Sequence, residues 1–380
     1  MIYDLRFARL RWATARRAIC DRSCNRWRDL KLAGFALALL STLDSPFSTC
    51  FAQGSLTPPG APAPTMKSLD QIEPRTPISS APFTISVPGS YYLTTNVTVS
   101  SGDAITISAN NVTLDLNGFT IASTAATASG DSGILLSGSR TNIAICYGNI
   151  SSGVTNNAGV YSGSGFVSGV FSPGCFNVRV TGVSVSGCQY DGIYIGYNSY
   201  NSTIVESCVV NTAGAYGIVA QSVSKSTAVD CGNIAIVATT ANDCSGAVYG
   251  TGSGVYATTA NNCYGYCLGS GTGVSANAAN NCYAYSTTGI GLSATQAQNC
   301  YGVSYGNNST GLQADTALNC EGFCGGIGVS GIGLAATYTA TGCVGRCTSG
   351  IGLAAFIANV CHGEGGPMAN FSVTHNVNSF

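Results

Sequence analysis

A four-residue anchor, small–aliphatic–any–Ala, recurs eight times in the second half of this 380-residue chain, and that periodicity constrains the fold more than any other feature. It reads GIVA from residue 217, AIVA from 235, GVYA from 254, GVSA from 273, GLSA from 291, GLQA from 311, and GLAA from 333 and again from 352. The aliphatic members Ile218, Ile236, Val255, Val274, Leu292, Leu312, Leu334 and Leu353 are separated by 18, 19, 19, 18, 20, 22 and 19 residues. A cysteine follows each: Cys231, Cys244, Cys263, Cys282, Cys300, Cys320, Cys343 and Cys361. Its offset from the aliphatic is eight residues in six repeats, nine after Leu334 and 13 after Ile218.

A repeat of this length cannot bury an inner face alone, whereas stacked repeats share a continuous core. An aliphatic and an Ala two apart point to one face of a strand. The Gly, Asn and Ser between them supply turns. No stretch carries the 3.6 period of a helix, and each repeat has one Leu where a leucine-rich repeat needs several. One 19-residue turn of two or three short strands is a rung of a β-solenoid. Ile236, Val255, Val274, Leu292 and Leu312 are predicted to stack as one buried ladder, with Ala238, Ala257, Ala276, Ala294 and Ala314 as a second.

The earlier half alternates in the same way, in YYLTTNVTV, DAITISANNVTLDLNGFTIAS, TNIAICYGNISSG and FNVRVTGVSVSGCQYDGIYIG. Residues Asn111 to Ile121 (NVTLDLNGFTI) resemble the first rungs of secreted right-handed parallel β-helix proteins, the pectate-lyase-like superfamily. So do Asn142-Ile143, Asn177-Val178-Arg179-Val180 and Asp191-Gly192-Ile193. The resemblance covers roughly residues 83–366. It implies an all-β, right-handed parallel β-helix of roughly 13 rungs. It does not imply one activity, because the superfamily holds lyases, hydrolases, epimerases, tail spikes and adhesins.

The ends of the chain have other compositions. Residues 1–52 read as an export leader: nine basic residues lie within the first 31, then comes a 12-residue apolar run, Leu32 to Leu43. That run has signal-peptide length and is short of the about 20 residues that span a bilayer. Cys50-Phe51-Ala52 resembles a cleavage site, so the mature chain is expected to be secreted or at the cell surface, with no membrane span. Residues 53–80 read as a Pro-rich linker, disordered like the leader, with eight of the 11 prolines between Pro58 and Pro88. The β-helix is assigned to 81–366 and a C-terminal cap or tail to 367–380.

Charge excludes several roles. Only 8% of residues are charged, against about 25% in an ordinary soluble domain. Beyond Ala52, six basic residues face 12 acids, a net charge of −6, and the six are scattered. A nucleic-acid partner needs a basic face to neutralise phosphates, and none is present.

Removing Cys20, Cys24 and Cys50 with the leader leaves 15 cysteines. Rungs about 4.8 Å apart are close enough for disulfides, although side chains of an in-register ladder point in parallel and strain the bridge. Buried thiols acting as small hydrophobes and some inter-rung disulfides both stay open. No metal site is assigned, because CxxxC is not a zinc spacing and only His362 and His375 are available to complete one.

Catalytic motifs are missing. Lyases of the resembled superfamily hold Ca²⁺ on clustered Asp. Its polygalacturonase-like hydrolases carry Asp-Asp, Gly-His-Gly and Arg-x-Lys strings, and none of these occurs here. The acids that could serve are Asp191, Glu206, Asp230 and Asp243. Asp230 and Asp243 both precede a ladder cysteine. In register they would stack about 5 Å apart, suiting a retaining glycosidase pair or Ca²⁺. Alternatively they belong to the turn ladder that Asn262, Asn281, Asn299 and Asn319 continue, since Asp and Asn both tolerate left-handed backbone. Asp131, Asp191 and Glu206 read as turn or surface acids. No cofactor is expected, Ca²⁺ being the one alternative.

The remaining feature is aromatic. Tyr264, Tyr283 and Tyr301 follow successive cysteines, and Tyr266 and Tyr285 come two places later. If the cysteines face inward, the tyrosines face out as a stripe. Such a stripe either binds a ligand such as polysaccharide or only stiffens the sheet. The expected function is a secreted, non-catalytic scaffold contacting polysaccharide. The alternative is a carbohydrate-active enzyme, a polysaccharide lyase or glycoside hydrolase. The oligomeric state stays open.

Overall fold

The computed structural model describes residues 74–380 apart from 129, 173, 197–200, 329 and 367–368. The leader and residues 53–73 of the linker lie outside the described residues. Among those described there is no helix, and none is long and apolar enough to cross a membrane.

Each repeat lays down one long and one short strand, as in Ser253–Asn261 followed by Tyr264–Cys267. The long strands of the repeats pair in parallel, each with its equivalent one repeat later: Ile236↔Val255, Val255↔Val274, Val274↔Leu292 and Leu292↔Leu312. These five are fully buried, so the expected aliphatic ladder is present. The alanine ladder shares its register, although Ala276 and Ala294 are only half-buried. Along Ser253–Asn261 the buried side chains are Val255, Ala257 and Ala260, a change of parity that turns a corner near Thr258. The chain therefore winds around three faces as a parallel β-helix.

A third inward ladder was not anticipated. Ala241, Ala260, Ala279, Ala297, Ala317, Ala340 and Ala358 stack in register and are buried. The lumen they line is narrow. A Cβ on Gly265 would stand 2.0 Å from the Gly273 carbonyl oxygen, and one on Gly273 would stand 2.6 Å from the Tyr285 amide nitrogen. This close approach explains why the anchor begins with a small residue.

The corner before each short strand uses left-handed backbone. Asp243, Asn262, Asn281, Asn299 and Asn319 have φ of 51–54°. Their side chains form a ladder of their own. Asn262 Nδ2 donates to Asp243 Oδ1 at 3.0 Å, Asn281 Nδ2 to Asn262 Oδ1 at 3.3 Å, and Asn299 Nδ2 to Asn281 Oδ1 at 3.2 Å.

One file holds 15 strands linked by 14 parallel pairings, from Thr76–Ile78 to Ala369–Val377. The solenoid thus has about 15 turns where roughly 13 were expected. Both end strands fall in stretches read as linker or tail. Thr76–Ile78 pairs with Tyr91–Leu93, and Ile78 is fully buried. Phe371 pairs with Leu353 in the last rung.

The cysteine ladder needs one correction. Thr240 pairs with Ser222 and Ser245 with Thr227, which puts Ser226, not Cys231, in the file of Cys244. Cys231 instead joins Val248 and Cys267, one face position further along. The irregular 13-residue offset marks this change of file. All 15 described cysteines are free thiols, and all but Cys146 are buried. The inward file bonds to backbone: Cys263 Sγ lies 3.2 Å from the Asn261 carbonyl and Cys282 Sγ 3.3 Å from that of Asn280. Ser226 follows suit, its Oγ donating to the Ser224 carbonyl at 2.8 Å.

Candidate functional site

The tyrosine stripe follows from the narrow lumen. Gly265 and Ala284 are the inward members of the short strands Tyr264–Cys267 and Tyr283–Ser286, so the flanking tyrosines must point out. Tyr264 pairs with Tyr283 and Tyr283 with Tyr301, while Tyr266 pairs with Tyr285 and Tyr285 with Val303. Tyr264 and Tyr283 are 43% and 37% exposed; Tyr266, Tyr285 and Tyr301 are half-buried.

The rings stack on one another. Tyr264 and Tyr283 have centroids 5.0 Å apart and planes at 10°. Tyr301 meets Tyr283 edge-on at 5.3 Å, and Tyr305 and Phe323 prolong the second file at 5.7 and 5.8 Å. Neighbouring rings occupy each other's faces, so the ridge presents ring edges and hydroxyls, not a row of open faces. Partial burial pushes the hydroxyls of Tyr264, Tyr285 and Tyr301 up, which keeps them neutral donors. Beyond the ridge Arg346 pairs with Glu321 and, at 3.3 Å, with Glu364.

The four candidate acids do not form one catalytic group. Glu206 lies 3.6 Å from Lys225 Nζ in a corner. Asp243 heads the asparagine ladder. Asp230 leaves that ladder with Cys231, so the two aspartates are not stacked in register. Asp230 is gripped by neutral donors: Asn156 Nδ2 at 2.5 Å, Thr212 Oγ1 at 2.6 Å and Tyr161 OH at 3.3 Å. Asn156 and Tyr161 come from an antiparallel hairpin, Gly153–Asn157 with Val160–Ser164, that leaves the solenoid. Among the described residues no group of three His, Cys, Asp or Glu is placed to hold a metal ion.

Asp191 differs from the other three. It was read as a turn or surface acid, yet it is 4% exposed and lines a pocket of about 530 Å³. The pocket is walled by Phe171, Tyr190, Tyr194 and Tyr216, with Ser132 and Ser168 at its floor. Asp191 Oδ1 accepts the Tyr216 amide at 3.3 Å. Burial pushes its carboxyl up to about 6.

A smaller groove of about 410 Å³ runs across four rungs at the corner near Thr258. Tyr256, Ser275, Ser293 and Gln313 form its in-register wall, with Thr258, Asn277, Thr295 and Asp315 opposite. Its signal was in the sequence from the third anchor on, where the unspecified third positions Tyr256, Ser275, Ser293 and Gln313 come to the surface, whereas the equivalent Val219 and Val237 are buried.

No protein-family model matches the chain, and no curated protein matches it. Among solved structures, the chain is similar to the A-module of the Azotobacter vinelandii mannuronan C-5 epimerase AlgE4. That likeness has a TM-score of 0.44 and 12% identity, over 77% of this chain and 88% of the other. A second likeness is to the Dettilon tailspike protein gp208, with a TM-score of 0.31 and 13% identity, over 78% of this chain and 61% of the other.

Proposed function

We propose that this chain is a secreted or cell-surface, non-catalytic β-helix scaffold that binds a neutral polysaccharide along its tyrosine ridge. One observation carries this reading: Tyr264, Tyr283 and Tyr301 run in register beside Tyr266 and Tyr285. The ridge repeats neutral hydroxyls at the rung spacing, about 4.8 Å. A glycan extended along the axis meets such a row with its own hydroxyls. A polyanion would find little there, since Arg346 is already paired with Glu321 and Glu364. Export rests on the leader-like first 52 residues. A glycan array probed with the full chain tests the proposal. The expected hits are neutral polysaccharides whose binding changes little with salt. Hits confined to polyanions, lost in high salt, would overturn it.

A carbohydrate-active enzyme is the second reading, and the Asp191 pocket favours it. A carboxyl held near 6 suits a general acid or base at neutral pH. Release of reducing or unsaturated ends from an array hit, abolished in Asp191→Asn, would establish this reading over the first.

A further inference from the structure

We propose that the pocket around Asp191 is a binding site for an ammonium cation: a quaternary ammonium group or the free amine of an amino sugar. The site goes beyond the polysaccharide reading and uses different residues on earlier rungs, so the failure of either leaves the other standing.

Two independent features point to this ligand. The walls are aromatic, with Phe171, Tyr190, Tyr194 and Tyr216 drawn from three successive rungs. Phe171 and Tyr194 sit 5.7 Å apart at a tilt of 35°, so they do not close on each other as a parallel stack. Aromatic ring faces attract cations through their quadrupoles, and arrays of them recognise quaternary ammonium groups. The second feature is the buried carboxylate. Its described hydrogen bond comes from the Tyr216 amide, and among the described residues no Lys, Arg or His lines the pocket. A buried carboxylate without a cation is costly, and an ammonium ion entering among the rings supplies the missing charge.

The surrounding groups reinforce this sign. On the preceding rungs Asp131 accepts the Gly102 amide at 2.8 Å and Asp103 accepts that of Ser132 at 2.7 Å. Both are carboxyl groups beside the floor residue Ser132, and burial pushes that of Asp103 up. On the core side lies Cys188, whose thiol burial pushes up to about 12. Asp191 is therefore the group that sets the pH dependence near neutrality. An ammonium ligand binds its ionised form, so affinity should rise as pH increases through about 6, levelling off above for a quaternary ammonium and falling again for an amine as it deprotonates.

The test is calorimetric titration of the full chain with choline, tetramethylammonium, glucosamine, N-acetylglucosamine and 3,3-dimethylbutanol, the uncharged carbon analogue of choline. The expected result is millimolar or tighter binding of at least one ammonium compound, with the uncharged analogue and N-acetylglucosamine at least about tenfold weaker. Choline without glucosamine would mark a quaternary headgroup as the ligand; glucosamine without choline would mark an amino sugar. Asp191→Asn preserves shape and the acceptor for the Tyr216 amide and should weaken binding at least about tenfold. Tyr190→Ala, at an exposed wall position, should weaken it while leaving the circular dichroism spectrum unchanged. Equal binding of choline and its uncharged analogue, no binding of any ammonium compound, or full affinity in both variants would overturn the proposal.

Discussion

Tyr266 and Tyr285 lie face to face, their ring centroids 4.5 Å apart and their planes inclined by 13°. The spacing is close to that of neighbouring strands in a sheet, about 4.8 Å. Stacking here is therefore a consequence of register, which Gly265 and Ala284 fix by filling the lumen between the tyrosines. The ridge and the narrow core are two sides of the same strands.

Replacing Tyr264, Tyr283 and Tyr301 together with Ser should abolish glycan binding. It should also lower stability by about 1–3 kcal/mol, because each aromatic contact is worth about 0.5–1.5 kcal/mol beyond burial. Chemical denaturation should show a shifted midpoint with an unchanged slope. A variant that is folded and still binds would remove the ridge from the functional account.

Leu292→Ala should cost about 2–5 kcal/mol, through lost burial and the cavity left in a ladder whose members are fully buried. Gln298→Ala, at an exposed position of the same strand, should stay within about 0.5 kcal/mol. Equal effects at the two positions, read from urea unfolding, would contradict the assigned register.

The Leu292 ladder and the asparagine corners were legible in the sequence because each rung repeats the same physical problem. A lumen one residue wide selects Gly, Ala and small aliphatics at fixed offsets. The left-handed corner selects Asn or Asp. The Ala260 file was equally periodic, five residues after nearly every anchor aliphatic, but no outward signal drew attention to it. Cys231 and Asp230 misled because a single rung shifted its cysteine from one face to the next. The Asp191 pocket lies among the irregular rungs before residue 217, where no repeat relates one rung to the next. Its aromatic walls come from strands and turns up to 45 residues apart, Phe171 to Tyr216.

Asn281 occupies a left-handed corner with φ of 52°. Asn281→Ala should cost about 1 kcal/mol in backbone strain, plus the amide bonds to Asn262 and Asn299, whereas Asn281→Gly should lose only those bonds. Glycine should thus be the milder substitution, the reverse of the order in an extended strand. Thermal melts of the two variants decide it.

The 15 cysteines from Cys146 to Cys361 should titrate as free thiols once the chain is unfolded without reductant. In the native state the half-buried Cys146 should react first, though slowly, because partial burial pushes its thiol up as well. Burial pushes Cys188 up to about 12 and Cys208 up to about 11, which starves both of thiolate at neutral pH. A thiol count that falls short under denaturing, non-reducing conditions would show that rungs are cross-linked instead.

The Asp191 carboxyl titrates at about 6 in the folded chain because burial disfavours its charged form, against an ordinary value of 3.8. Between those values the folded state holds a proton that the unfolded state has released. Stability from this group is therefore full below about pH 4 and falls as pH rises to about 6, after which the loss is complete. The loss is on the order of 3 kcal/mol, at about 1.4 kcal/mol for each pH unit between the two values. Asp191→Asn removes the titration while keeping the acceptor for the Tyr216 amide. The variant and the parent chain should be similarly stable at pH 4, and the variant should be the more stable at pH 8. Paired denaturation curves at both pH values read the difference, with contributions from all other acids cancelling between the two proteins. A gap between them that is the same at pH 4 and pH 8 would mean that the Asp191 carboxyl is not raised, and that its pocket is wetter than its 4% exposure indicates.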